Sequence, residues 1–96
     1  MFVSIARQVI KEEEIARYQE MAKIMVEKSV VEDGCLGYVS VQQETDPRVH
    51  LFIEKWRDDE AMQKHFESEH FQTYIPQFPA MFEEEEVVTR YSIVAN

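Results

Sequence analysis

The stretch Val49 to Trp56 places large groups on both faces of a strand, and few folds can satisfy that. Val49, Leu51 and Ile53 line one face, while His50, Phe52, Glu54 and Trp56 line the other. Phe2 to Ile10 repeats the pattern. Val3, Ile5, Arg7 and Val9 lie opposite Phe2, Ser4, Ala6, Gln8 and Ile10. A sheet made of such strands must be covered on both sides. Cys35 to Glu44 reads as another strand, with Leu36 and Tyr38 on one face and Val39 and Val41 on the other. Val87 to Val94 reads as the last, with Val87, Thr89, Tyr91 and Ile93 on one face.

Two helical segments separate these strands. Lys11-Glu12-Glu13-Glu14 opens the first, its acids suiting the positive end of the helix dipole. Ile15, Tyr18, Ala22, Met25, Val26 and Ser29 then recur at helical spacing as one buried stripe, and the opposite charged face is a solvated one. Asp33-Gly34 ends the unit, and Glu44 to Arg48 forms a turn around Pro47. Asp58 or Asp59 caps the second helical segment. Ala61, Met62, His65 and Phe66 share its inward side, and Pro76 and Pro79 interrupt it further on. The acidic run Glu83 to Glu86 is expected in water.

The order β-α-β-β-α-β predicts a ferredoxin-like α+β fold over residues 1–96 as a single domain. It has a four-stranded antiparallel sheet with both helices on one face. The other face is left bare, and the simplest cover is a second copy of the chain, so a homodimer through the sheet face is expected.

Charge narrows the partners. Nineteen acids (19) against 10 bases give a net charge of −9 with no basic cluster, which argues against nucleic acid and against an anionic membrane surface. No apolar run approaches the roughly 18–20 residues of a membrane span. The N-terminus lacks a signal-peptide pattern, and Cys35, the one cysteine, fits a reducing compartment as a small packed residue. A cytoplasmic location is the expectation.

The chemistry concentrates in Glu54-x-Trp56-x-Asp58-x-Glu60-Ala61-x-x-x-His65-x-x-Ser68-x-His70-Phe71. A neutral imidazole can take a proton from a phenol or enol, which makes His65 and His70 the candidate catalytic residues. Trp56, Phe71, Tyr74 and Phe78 suit a flat ring as substrate-binding residues. Five residues along an unbroken helix is a rotation of about 140°, so the two histidines share a pocket only if the helix kinks near Ser68. The spacing is a poor metal signature, and no metal is expected. His50, on a strand beside a turn, is expected to be exposed.

This stretch, with Gly34-Cys35-Leu36-Gly37-Tyr38, resembles the antibiotic biosynthesis monooxygenase domain family. The resemblance implies a dimeric α+β barrel with a ligand pocket between helices and sheet, reached past Glu54 and Trp56. It further implies a monooxygenase that needs no cofactor, acting on a hydroxylated aromatic or quinol. The family's haem-degrading branch uses a first-strand Asn, a helical Trp and a later His, where this chain has Ala6, His65 and Ile75. Two alternatives stand beside this reading. One is an isomerase or tautomerase on a small, possibly phosphorylated, carbonyl compound, such as an autoinducer derivative. The other is a non-enzymatic small-molecule-binding dimer.

Overall fold

Four strands alternate with two helical segments in a computed structural model that describes all 96 residues. Strand β1 spans Phe2–Val9, followed by a 3-10 turn at Glu12–Glu14 and helix α1 at Ile15–Ser29. Strands β2 (Cys35–Gln42) and β3 (Val49–Trp56) form the central hairpin, and helices α2 (Asp59–Phe66) and α3 (Glu69–Tyr74) come next. Two 3-10 turns, Ile75–Gln77 and Pro79–Met81, lead to β4 (Val87–Ser92). Each turn carries one of the two prolines, which lack the amide that a continuing helix would use. No helix is long and apolar enough to cross a membrane.

The sheet is antiparallel throughout in the order β2-β3-β1-β4. This bears out the ferredoxin-like layout but corrects the expected barrel. Strands β2 and β4 are free edges at opposite ends of the sheet, which stays open. The physical reason is strand number, since closing a barrel with a filled interior takes roughly eight strands.

Strand parity sets what is buried. Phe2, Ala6, Tyr38, Phe52 and Trp56 pack against Tyr18, Met21, Ala22, Met25 and Ala61 of α1 and α2 in one core. Phe78 stacks on Phe52 with ring centroids 6.0 Å apart. Each large side chain taken fully out of water contributes about 1.5–3 kcal/mol before entropy is counted. The other face presents Val3, Ile5, Val41, Leu51 and Ile53, half-buried, and Val39, Val87 and Tyr91, exposed. Two expectations are corrected here. A bulge between Cys35 and Gly37 puts Leu36 out of step with Tyr38, so Tyr38 is buried and Leu36 exposed. His50 is buried rather than exposed: α1 covers it, and Gln19 Nε2 lies 3.0 Å from its Nε2.

Gly34 fixes how α2 leaves the hairpin. Its φ of +83° belongs to the left-handed region, and a Cβ there would lie 2.4 Å from the Cβ of Ala61. Gly34→Ala therefore combines backbone strain with overpacking. A loss of about 1–3 kcal/mol is expected in urea denaturation, with α2 pushed off the end of β3.

Candidate functional site

A cavity of about 140 Å³ opens between the helix-covered face of the sheet and helices α2 and α3. Its walls are Ala6, Phe52, Phe66, Phe71, Ile75 and Met62, and its polar lining is Ser4, Gln8, Tyr38, Glu54 and Glu86. Strand β4 lies beyond the helices, so its side chains are exposed even on this face, and Val88 completes the lining there. Glu86, exposed yet lining the cavity, marks its mouth.

Glu54 is the unusual group. Strand alternation turns it inward between Phe52 and Trp56, and it is only 8% exposed. Trp56 Nε1 donates to its Oε1 at 3.0 Å. Burial, aided by the nearby charges of Glu32 and Glu86, raises its pKa from 4.5 to about 7 against the lowering effect of the Trp56 bond. A carboxyl group with this pKa exchanges protons at neutral pH, as an ordinary glutamate does not. At the mouth, Gln8 Nε2 donates to Glu86 Oε2 at 2.5 Å, and the buried Tyr18 hydroxyl donates to Gln8 Oε1.

The two histidines converge, but behind the wall. Helix α2 ends at Phe66, and Ser68 caps α3 by accepting from Phe71 N at 3.3 Å while donating to His65 O at 2.7 Å. The break rotates α3 so that both rings reach Glu32, in the loop after α1. His65 Nδ1 lies 2.6 Å and His70 Nε2 3.1 Å from the same Glu32 oxygen. With a carboxylate as acceptor, His65 Nδ1 carries the proton. Its Nε2 is buried and has no partner. Burial lowers the His65 pKa, outweighing the pull of Glu32, and so favours the neutral ring. The His65 ring packs 4.7 Å from Trp56, 5.4 Å from Tyr38 and 5.1 Å from Phe71, the last two being cavity-lining residues. The ligand atoms of Glu32, His65 and His70 all lie within 4.8 Å of one another, a set with the donor types a metal ion takes.

The ring-binding candidates divide. Phe71 lines the cavity, and Trp56 stands between Glu54 and His65. Phe78 is in the core behind Phe52, and Tyr74 faces a separate groove with Ala16, Met21 and Gln77. Sequence reasoning gave Glu54 no catalytic part, although an acid on the inward, aromatic side of a strand was a readable signal. It also missed Glu32 and Glu86, which look like ordinary loop acids until the chain folds.

The fold is an open ferredoxin-like α+β sheet with a small acid-bearing cavity under its helices. The family profile for antibiotic biosynthesis monooxygenase matches residues 1–77, and the chain belongs to that family. A solved structure described as an antibiotic biosynthesis monooxygenase is 32% identical, with a TM-score of 0.93, covering 99% of this chain and 100% of that one. A Pseudomonas aeruginosa structure is 26% identical with a TM-score of 0.87, covering 97% and 94% of the two chains. An uncharacterized Synechocystis protein is 30% identical over 83 residues, 86% of this chain, which spans about half (54%) of that relative's length.

Proposed function

We propose that this protein is a monooxygenase that binds a small hydroxylated aromatic, of the quinol type, and oxidises it with molecular oxygen without a bound cofactor. The observation that carries the reading is Glu54, a proton-exchanging carboxyl group on the wall of an aromatic-lined cavity. A cavity of about 140 Å³ matches one aromatic ring, since an apolar cavity of roughly 150 Å³ admits benzene. Phe52, Phe66 and Phe71 hold the ring, Phe78 backs Phe52, and Trp56 orients Glu54. Glu54 takes the hydroxyl proton, and the electron-rich anion reduces oxygen. One oxygen atom enters the product and the other leaves as water, with the quinol's own electrons balancing the reduction. His65, held by Glu32 together with His70, packs behind Tyr38 and Phe71 and positions that wall of the cavity.

The homodimer belongs to the same proposal. The apolar face opposite the helices is what a second copy would cover, sheet on sheet.

Oxygen uptake with a panel of hydroquinones and catechols tests the oxygenase. One oxygen consumed per quinol is expected, and His65→Ala, by loosening the wall at Tyr38 and Phe71, should lower kcat by up to about 10²-fold. Absence of turnover across the panel would sink the reading, and undiminished rates in both His65→Ala and His70→Ala would remove the histidines from it. Turnover of a carbonyl substrate under strict anaerobiosis would favour an isomerase instead. A phosphorylated substrate is disfavoured, because no Arg, Lys or His lines the cavity.

A further inference from the structure

Glu86 is exposed like the rest of the Glu83–Glu86 run, yet its carboxylate is tied to buried residues. Surface glutamates ordinarily sample many rotamers, but this one is anchored from inside the fold. The Tyr18 hydroxyl on α1 donates to Gln8 Oε1 on β1, and Gln8 Nε2 donates to Glu86 Oε2 at 2.5 Å. Tyr18 and Gln8 are both buried. Three segments distant in sequence thus hold one carboxylate at the cavity mouth. The second carboxyl group, Glu54, lies on the wall further in.

No cation offsets the pair within the cavity, whose lining contains no Arg, Lys or His. The nearest basic residues on β1 and β4 are engaged elsewhere. Arg7 lies 3.8 Å from Glu84, and Arg90 bonds Asp59 at 2.5 Å and covers the Phe2 ring. A ring seated against Phe52 and Phe71 with a hydroxyl at Glu54 would direct its opposite end toward Glu86.

We infer that the ligand of this cavity is a hydroxylated aromatic amine, with its phenol at Glu54 and its ammonium ion paired with Glu86 at the mouth. This rests on the reading of the cavity as the substrate site and adds the charge of the substrate. A positive nitrogen gains Coulomb energy from a carboxylate whose position is already fixed, so little side-chain freedom is lost on binding. A carboxylate or phosphate in the same place meets a like charge.

Calorimetric titration of the whole chain with three phenols of matched shape tests it: tyramine (cationic), tyrosol (neutral) and 3-(4-hydroxyphenyl)propionate (anionic). Tyramine should bind about tenfold or more tightly than tyrosol, and the propionate more weakly than either. In Glu86→Gln the tyramine-to-tyrosol ratio should fall toward one. In Glu85→Gln, whose side chain does not line the cavity, the ratio should persist, which separates local pairing from the attraction of a chain with net charge −9. Equal binding of all three phenols would overturn the inference while leaving the cavity as a phenol site. A ratio unchanged in Glu86→Gln would also overturn it. Binding of none would overturn both the inference and the cavity as the substrate site, whereas binding of tyramine with no oxygen uptake on any quinol or catechol of the panel would count against the oxygenase alone.

Discussion

Replacing Glu54 by glutamine is expected to lower kcat/KM for quinol oxidation by roughly 10²- to 10⁴-fold, the range that one positioned proton acceptor supplies. Glutamine keeps the shape and can still accept the Trp56 N–H, so the loss reports proton transfer rather than collapse of the wall. Wild-type kcat/KM should fall as pH drops below about 7, where Glu54 becomes protonated. A glutamine variant with near-normal activity, or a wild-type profile flat down to pH 5, would remove Glu54 from the mechanism.

The same substitution should stabilise the protein at alkaline pH. Burial raises the Glu54 pKa from 4.5 to about 7, so between those values the folded state keeps a proton that the unfolded chain has released. Stability therefore falls as pH rises through that window and levels off above it. The rise from 4.5 to about 7 corresponds to a contribution on the order of 3 kcal/mol. Glu54→Gln should be more stable than wild type at pH 8 and little different at pH 4, as read by urea denaturation at the two pH values. Lower stability of the variant at pH 8 would contradict the raised pKa. The expected combination, less active and more stable, is what a strained catalytic group gives and a structural carboxylate does not.

The second large effect is expected on the bare sheet face. Ile53→Glu should convert a dimer into a monomer at micromolar concentration. Ile53 pairs with Ile5 in the middle of the β1–β3 ladder, so in a two-fold sheet-on-sheet contact each copy would bury the new charge against apolar groups. An unpaired polar group costs at least about 1–3 kcal/mol per copy, and two copies weaken the dissociation constant by roughly 10²-fold or more. The residue is only half-buried in the single chain, so the variant should still fold. Sedimentation of wild type and variant decides it: a wild-type monomer at micromolar concentration, or a variant dimer as tight as wild type, would remove this interface.

Much of the scaffold was legible because local chemistry fixes it. Alternation in Val49–Trp56 grouped Phe52, Glu54 and Trp56 on one face of β3, and Asp58 caps α2, accepting from Ala61 N at 2.9 Å. Less local features went astray. The Leu36 bulge depends on hairpin register, and the burial of His50 depends on α1 lying across the strand. The expected barrel came with the family resemblance rather than from any residue pattern, and four strands with two free edges leave the sheet open.

The sequence by itself determined the element order, the two-sided strands and the interruptions at Pro76 and Pro79, whereas a break near Ser68 stood only as the condition for the two histidines to meet. Short-range forces act there: capping, period and proline geometry. Only the tertiary structure decided what the histidines meet. Glu32 lies 33 residues from His65 and 38 from His70, and nothing in its neighbours marks it as their partner. Glu86 is likewise joined to Gln8 across 78 residues. The pKa of Glu54 has the same origin, since it comes from water excluded by helices elsewhere in the chain.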